Sequence, residues 1–487
     1  MSTSVLIIGA GWSGLEIAWV LRQLGHQVEV VEVLDDVGGT WHPARAYAGL
    51  SIHTPAFRCD FHDARGWPSV NRLDRVPAPS VHDNCRTFAA THDLRPCITC
   101  NQRVTAIAWD SRARRHTVTV QDTVSGATSV RHADYVVNTQ FNAPRLPDFA
   151  GREAFRGRVL HSTAVTTAVI EQLQRDRPAV VLLGASKGAA DIALLLLRHG
   201  VPFTWLARRW YWFLSFDRGY RDQRTGLPSS AWYRWVYFLG LGIARGPLTT
   251  RLALAAWRAV GLLQTPGTPS RSLSAFHHGW LDDGQVETLR TQTSRVTGSV
   301  DRLDASAVHL RDGRAVPCDV LLCATGADPI AEPIALSADG RAVPYDAVER
   351  VYRYSVIPDL PRLVFTGYAM FGFGPLNGYH RAAWIQRFIE QDLSPDALAA
   401  QARADASPAY PFRRGSFLFD GDVNVLVAVK TMNRLMSEGL YAYADLKAHY
   451  RDIAVRHVYA PLRGVSRFLA ARGVPPAPSA SSPPTPR

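Results

Sequence analysis

Short apolar runs, each followed by a glycine-rich turn and then by helically spaced apolar residues, organise the start of this chain. Residues 5–8 form the first run and residues 9–14 the turn, and apolar positions three or four apart continue until Gly25. A second apolar run, residues 28–33, follows. The runs predict buried strands, and the spacing between them predicts a helix capped by Gly25. The order strand, helix, strand predicts a parallel βαβ unit.

The turn at residues 9–14 has the glycine spacing of a dinucleotide-binding fingerprint. Gly9 permits the sharp turn, Gly11 lets the backbone approach a pyrophosphate, and Gly14 lets the helix pack on the strand. The helix N-terminus attracts the phosphates. Glu32 ends the second run, where a carboxylate accepts hydrogen bonds from a ribose hydroxyl. The residues predicted to bind this first nucleotide are Gly9, Gly11, Trp12, Ser13, Gly14 and Glu32.

The same pattern returns near residue 184, but the residues at its end differ. The next apolar run ends in Arg208 and Arg209 instead of an acid, and guanidinium groups there suit a 2′-phosphate, which favours NADP over NAD. Lys187 adds a charge to the same phosphate site. The alternative interpretation is an ordinary βαβ unit with solvated arginines. The residues predicted to bind this second nucleotide are Gly184, Ser186, Lys187, Gly188, Asp191, Arg208 and Arg209. Two dinucleotide sites in one chain predict electron transfer between nucleotides, as in a flavin enzyme.

The amino-acid composition narrows the classes of protein and of binding partner that fit this chain. The chain has 487 residues, of which 47% are hydrophobic and 20% charged, as is typical of a globular protein with two or three domains. Its net charge of +12 is not concentrated in a Lys/Arg-rich block, so no nucleic-acid partner is predicted. Six scattered cysteines predict neither a disulfide framework nor a metal site. The first strand begins almost at Met1, so we expect no signal peptide and predict a cytoplasmic protein.

Further short segments lie between and after the two turns. They are residues 38–41 (Gly-Gly-Thr-Trp), 142–147 (Asn-Ala-Pro-Arg-Leu-Pro), 155–161 (Phe-Arg-Gly-Arg-Val-Leu-His), 322–326 (Leu-Cys-Ala-Thr-Gly), and 364–367 followed by 372–374. In this order and spacing they resemble the class B flavin monooxygenases, a family that includes N- and S-oxygenating enzymes and Baeyer–Villiger enzymes. The resemblance extends from residue 5 to about residue 384.

The resemblance implies which residues face the flavin. In the family, the glycines of the 38–41 segment let the backbone pass close to the flavin, and the tryptophan packs near its ring. The Ala-Thr-Gly segment returns the chain to the flavin domain. The residues implied at the flavin are Gly39, Thr40, Trp41, Thr325 and Gly326.

The resemblance also implies the candidate catalytic residues, which are His161, His53 and Thr54. His161 ends the 155–161 segment between the two nucleotide motifs, where it couples the movement of the domains. His53 or Thr54 stands where many N- and S-oxygenating members carry an asparagine that contacts the oxygenated flavin. Val165 stands where the family has an aromatic residue that differs between subclasses, so that marker is missing.

The implied chemistry uses FAD, NADPH and O₂. NADPH reduces the flavin, O₂ adds to it as a C4a-(hydro)peroxide, and one oxygen atom passes to a fairly apolar small molecule, at nitrogen or sulfur in the leading interpretation. One alternative keeps the cofactors but oxygenates a ketone in a Baeyer–Villiger reaction or oxidatively decarboxylates a 2-oxo acid. The other alternative is a non-oxygenating flavin oxidoreductase, although no redox pair of cysteines follows residues 38–40.

The predicted fold is α/β, with an NADPH-binding domain inserted into an FAD-binding domain. The predicted divisions are residues 1–165 and 320–395 for FAD, 166–319 for NADPH, 396–473 for a C-terminal helical region and 474–487 for a disordered tail. An aromatic helical insertion at about 210–280 is interpreted as a lid over the substrate, with a membrane-surface patch and plain core packing as alternatives. Arginines interrupt this insertion too often for a transmembrane helix. No oligomeric state is predicted.

Overall fold

A computed structural model describes residues 2–56, 70, 74–140, 143–144, 146–220, 247–267, 276–328, 334–353, 355–366, 376–404 and 468–474. Some sequence predictions lie outside these residues. They concern the aromatic segment 221–246, the linker residues 141–142 and 145, the flavin-facing segment 367–374, and the C-terminal residues 405–467 and 475–487.

Helices and strands alternate through much of the described chain. The helices are α1 (Trp12–Gln23), α2 (Ala78–Thr91), α3 (Thr167–Asp176), α4 (Lys187–Arg198), α5 (Phe216–Tyr220), α6 (Pro247–Ala259), α7 (Asp283–Gln292), α8 (Leu376–Gln391) and α9 (Pro395–Ala404). The strands of the first part of the chain are β1 (Ser4–Ile8), β2 (Gln27–Val31), β3 (Ser51–Pro55), β4 (Arg75–Pro77), β5 (Ile98–Thr99), β6 (Gln102–Asp110), β7 (Arg115–Asp122), β8 (Thr128–Ala133), β9 (Tyr135–Asn138) and β10 (Ala143–Pro144).

The remaining strands belong to the middle and the end of the chain. Those of the middle are β11 (Arg158–His161), β12 (Val180–Leu183), β13 (Phe203–Ala207), β14 (Trp212–Ser215), β15 (Leu263–Gln264), β16 (Phe276–Leu281), β17 (Ser294–Thr297), β18 (Val300–Leu303), β19 (Ala307–Leu310), β20 (Ala315–Pro317), β21 (Val320–Cys323) and β22 (Ala327–Asp328). Those of the end are β23 (Ala335–Ala338), β24 (Arg341–Ala342) and β25 (Leu363–Phe365).

The first domain is built on a parallel sheet in the order β25-β9-β1-β2-β5. Helix α1 follows β1 and packs against α8. All residues of α1 from Gly14 to Leu21 are buried. The apolar run that predicted β1 is buried on both faces of the sheet, as expected for a central parallel strand. A second, mixed sheet in the order β24-β23-β6-β7-β8 shares the same hydrophobic core.

The second domain is built on another parallel sheet, in the order β11-β21-β12-β13-β17. Strands β11 and β21 both belong to it, although the sequence analysis assigned residues 158–161 and 320–323 to the FAD domain. Boundaries at 165 and 320 therefore fall too far inside the inserted domain. The reason is that each strand pairs along its whole length with a neighbour in the second sheet, which local sequence does not reveal.

The two domains are joined by a pair of short antiparallel strands. Ala143 pairs with Asp328 and Pro144 with Ala327, so the chain leaves the first domain and returns to it at the same place. The prediction of an α/β fold with one dinucleotide-binding domain inserted into another is confirmed. The described part of the aromatic insertion forms β14–β16, α5 and α6, with a small core around Trp212, Trp257 and Trp280.

Candidate cofactor-binding sites

The first glycine turn, between β1 and α1, is so tight that two of its glycines are required by the protein itself. Gly9 has φ +101°, and a Cβ there would lie 2.7 Å from Oγ1 of Thr139. A Cβ on Gly14 would lie 2.0 Å from the carbonyl oxygen of Gly9. Gly11 differs, because its φ is −70° and its Cβ would make only ordinary contacts inside the protein. The fold itself therefore does not require glycine at position 11, and the binding of a ligand is left as the reason for it.

The Gly38–Gly39 segment packs directly on this turn. The amide of Gly38 donates to the carbonyl of Ala10 at 3.0 Å, and a Cβ on Gly39 would lie 2.9 Å from Cα of Gly11. Residues 39–41 form one turn of 3₁₀ helix, so Thr40 follows Gly39 at the turn, and the ring of Trp41 lies edge-on to that of Trp12 at 6.5 Å between centroids. The two segments that the sequence placed near the flavin thus form a single backbone cradle.

The N-terminus of α1 suits an anion. No described side chain caps it, and no acidic residue occupies its first turn, which includes Ser13. Its partial positive charge is therefore not neutralised within the helix. Glu32 is buried at the end of β2, where it accepts from the amides of Ala10 at 2.6 Å and Leu34 at 3.0 Å. A carboxylate oxygen has a second lone pair, so Glu32 can brace the turn and still accept from a ribose hydroxyl.

The second glycine turn, between β12 and α4, repeats the geometry of the first. Gly184 has φ +124°, and a Cβ there would lie 2.2 Å from the carbonyl oxygen of Ala324. Ser186 begins α4 without a side-chain cap, and a Cβ on Gly188 would meet no protein atom within 4 Å. The indole of Trp205, which the sequence analysis did not single out, donates to the carbonyl of Gly184 at 2.6 Å. The start of α4 is therefore another open, uncapped helix N-terminus.

Lys187 is the first residue of α4, and Asp191, four residues further along the helix, pairs with it. Asp191 also accepts from the hydroxyl of Tyr47 at 2.9 Å, and Tyr47 belongs to the first domain. Burial lowers the pKa of Lys187, and the nearby charge of Asp191 acts in the opposite direction. The predicted contact of Lys187 with a phosphate stays a prediction, and it requires the ammonium group to share or leave Asp191.

Arg208 and Arg209 follow the end of β13, but their surroundings differ. Arg208 is exposed, whereas the Arg209 guanidinium lies over the ring of Tyr211 at 5.2 Å and donates to its hydroxyl at 3.3 Å. Of the two, Arg208 is presented more freely to a 2′-phosphate.

His161 links the ends of two neighbouring strands, β11 and β21. Its Nδ1 accepts from the amide of Thr163 at 3.2 Å, which leaves the proton on Nε2 to be donated to the carbonyl of Gly326 at 2.8 Å. Burial lowers the pKa of His161, and the Gly326 contact opposes this. With both ring nitrogens satisfied by the protein, His161 holds the segment of Thr325 and Gly326 in place, which fits a positioning role better than proton transfer.

The other candidate catalytic residues are less well defined. His53 is half-buried on β3, and the side chain of Thr54 lies outside the described residues. Val165 is fully buried, and its carbonyl accepts from the amide of Ala48 at 2.8 Å, a contact between the two domains. In the described residues no group of three or more His, Cys, Asp or Glu side chains is arranged to hold a metal ion. No described helix is long and apolar enough to cross a membrane.

Comparisons with known proteins agree with this arrangement. A family of NAD(P)-binding Rossmann-like domains matches residues 7–73. An FAD-dependent monooxygenase of Pyrenophora dematioidea is 32% identical over 215 residues, which cover 42% of this chain and 39% of that protein. A probable FAD-binding monooxygenase, AlmA of Acinetobacter baylyi, is 22% identical over 420 residues, covering 80% of this chain and 79% of that protein. The match to the first relative thus spans less than half of that relative's length.

A solved structure extends the likeness at the level of the fold. The closed crystal structure of cyclohexanone monooxygenase superimposes with a TM-score of 0.63 at 18% identity, covering 90% of this chain and 98% of that one.

Proposed function

We propose that this chain is a class B flavin-dependent monooxygenase, an NADPH-dependent enzyme that transfers one oxygen atom from O₂ to a fairly apolar small molecule; its sequence relatives and its fold support the proposal. The leading candidate for the oxygenated atom is nitrogen or sulfur. The observation that carries the proposal is the pair of open glycine turns, one in each of two parallel sheets joined by the β10–β22 pair. One turn alone would support nucleotide binding but not electron transfer between two nucleotides.

FAD is assigned to the first domain. The residues fit its pyrophosphate, because Gly11 leaves space at an uncapped helix N-terminus and Gly39 brings a second backbone against it. Glu32 is positioned to accept from the ribose. The names of the relatives, "FAD-dependent" and "FAD-binding", support the same assignment.

NADPH is assigned to the second domain. The space beside Gly188 and the uncapped start of α4 suit its pyrophosphate, and Arg208 suits its 2′-phosphate. When both cofactors are bound, they supply hydride transfer and the reaction with O₂. The protein orients the two nucleotides and excludes water, and His161 holds the Thr325–Gly326 backbone where the chain returns to the first domain.

A second candidate reaction is Baeyer–Villiger oxygenation of a ketone, with oxidative decarboxylation of a 2-oxo acid as a related possibility. The structural likeness to a protein named cyclohexanone monooxygenase supports it. Val165, which is aliphatic and buried, stands where the family has the aromatic residue that separates the subclasses, so this position does not favour either reaction. A non-oxygenating flavin oxidoreductase is the third candidate.

Labelling with ¹⁸O₂ distinguishes these reactions. The protein, loaded with FAD and supplied with NADPH, is incubated with panels of amines, sulfides, ketones and 2-oxo acids, and the products are analysed by mass spectrometry. We expect one labelled atom in an amine or sulfide product. A labelled ester from a ketone would establish the second candidate instead. Label found only in water and hydrogen peroxide across all panels would contradict a monooxygenase.

A further inference from the structure

Arg75 connects the two domains through an ion pair with Asp282. It begins β4 in the first domain, and its side chain is only 14% exposed. Its two terminal nitrogens contact the two carboxylate oxygens of Asp282 at 2.9 and 3.1 Å. A bidentate contact of this kind fixes both the distance and the orientation of its partners, which a contact through a single atom does not.

The partner of Arg75 is the N-terminal cap of α7. Asp282 and Gln285 form a capping box there: the side chain of Asp282 accepts from the backbone amide of Gln285, and the side chain of Gln285 accepts from the backbone amide of Asp282. Arg75 also contacts Oε1 of Gln285 at 3.3 Å and the carbonyl of Trp280 at 3.3 Å, while its guanidinium lies 4.3 Å from the ring centroid of Phe216. One side chain of the first domain is thus held by four residues of the second.

A second polar contact between the domains lies on α4. Tyr47 donates to Asp191, which in turn pairs with Lys187 at the start of the helix. Asp282 and Arg75 are close enough to Lys187 for their charges to affect its pKa in opposite directions. The two contacts therefore belong to one cluster of alternating charges, and this cluster lies beside the open N-terminus assigned to NADPH.

We propose that Arg75 is a positioning residue for hydride transfer, which holds the second domain in the orientation that brings the nicotinamide to the flavin. This inference rests on the proposed function. Hydride transfer converts NADPH to NADP⁺ and leaves the reduced flavin, with no further reactant, so its rate depends on how the two bound nucleotides are oriented. The two nucleotides are held by different domains, so a contact that fixes the domains also fixes the reacting atoms.

The test compares Arg75→Gln and Asp282→Asn with a matched control, Arg131→Gln. Asparagine caps helices about as well as aspartate, so Asp282→Asn removes the charge but keeps α7 capped. Arg131 forms an ion pair with Glu29 at 2.9 Å, the same distance as the Arg75–Asp282 pair, but within the first domain. Flavin reduction is followed by anaerobic stopped flow at saturating NADPH, and hydrogen exchange is measured for residues 75–77 and 283–292.

We expect reduction to slow by about tenfold or more in Arg75→Gln and Asp282→Asn, with FAD content unchanged. Amide exchange of both segments should increase in these variants and not in Arg131→Gln. Arg75→Lys, which keeps the charge but loses the bidentate geometry, should give an intermediate rate. The double variant should be little slower than either single variant, because both remove the same contact.

Two results would overturn the inference. One is a rate of flavin reduction in Arg75→Gln equal to that of the wild type. The other is a lower rate in Arg75→Gln with an unchanged rate in Asp282→Asn. If NADPH does not reduce the flavin of the wild-type protein, the proposed function is contradicted instead. In that case, increased amide exchange in the variants, confined to residues 75–77 and 283–292, would show that the contact between the domains exists but does not serve hydride transfer.

Discussion

Gly9, Gly11 and Gly14 share one turn but differ in what an added methyl group would meet. The methyl would strike Thr139 at Gly9 and the backbone of Gly9 at Gly14, whereas at Gly11 it would make ordinary contacts with Gly39. Two of these glycines are therefore explained by folding. Only Gly11 is left for cofactor binding to explain, a distinction that the sequence spacing does not make.

Gly11→Ala should fold yet lose FAD. Its backbone already has a φ that alanine adopts, so the melting temperature of the apoprotein should change by no more than about 4 °C. The new methyl group occupies the surface that the pyrophosphate approaches, so the purified variant should be nearly colourless. Flavin absorbance per protein and a thermal melt measure both effects. Gly14→Ala is the control and should fail to fold; full flavin content in Gly11→Ala would refute the assignment.

Arg208→Ala should weaken NADPH more than NADH. A charge-assisted contact with the 2′-phosphate is worth about 1.5–3 kcal/mol, which corresponds to an increase of about tenfold or more in the Michaelis constant for NADPH. Arg209→Ala should have a smaller effect, because that guanidinium lies over Tyr211. Steady-state kinetics with both nucleotides decide the matter. Equal use of NADH and NADPH by the wild type would show that neither arginine selects the cofactor.

At the scale of elements, strand β7 carries a buried histidine in the mixed sheet of the first domain. His116 is fully buried, and its ring lies 4.9 Å from that of Trp109. Burial, helped by the charge of Arg362, lowers its pKa from 6.5 to about 3. The folded protein therefore keeps His116 neutral at a pH where the unfolded chain binds a proton.

This shift predicts a loss of stability in acid. Because the unfolded state binds the extra proton, the contribution of His116 is fully present above pH 6.5 and is lost progressively as the pH falls toward 3. Between about pH 7 and pH 5, the free energy of unfolding of the first domain should fall by about 2 kcal/mol more in the wild type than in His116→Leu. Urea titrations at both pH values measure this difference. Equal losses in the two proteins would mean that His116 titrates normally when folded.

At the scale of the whole molecule, the described core residues divide between the domains. The core of the first domain combines residues from before and after the insertion, and the second domain has cores on both faces of its own sheet. Between them lie the β10–β22 pair and the polar contacts of Tyr47 and Arg75. Separate cores favour separate unfolding of the domains.

Thermal unfolding should therefore show two transitions that respond to different ligands. FAD at about 100 times its dissociation constant should stabilise the first domain by about 2.7 kcal/mol, and NADP⁺ should shift the other transition. Differential scanning calorimetry of the apoprotein, with each nucleotide added alone, provides the measurement. A single transition that both ligands raise equally would show that the domains unfold as one unit.

The two βαβ units were predictable because their signals are local. A strand needs a short apolar run, and a turn such as that of Gly9 or Gly184 needs a residue that tolerates positive φ, so neighbouring positions carry the information. The first predicted strand, residues 5–8, coincides with β1 to within one residue, and the helix expected to stop at Gly25 ends at Gln23, with Gly25 completing the cap at φ +85°.

Other features depend on residues far apart in the chain. Whether β11 and β21 belong to the first or the second sheet depends on pairing between them, and the sequence-based boundaries were therefore misplaced. Arg75 and Asp282 are separated by 207 positions and Tyr47 and Asp191 by 144, so no motif links them. Sequence by itself determined the two nucleotide folds, because glycine and apolar spacing act over a few residues. Only the tertiary structure decided how the two folds are held together, because that depends on which polar and charged side chains from distant parts of the chain meet.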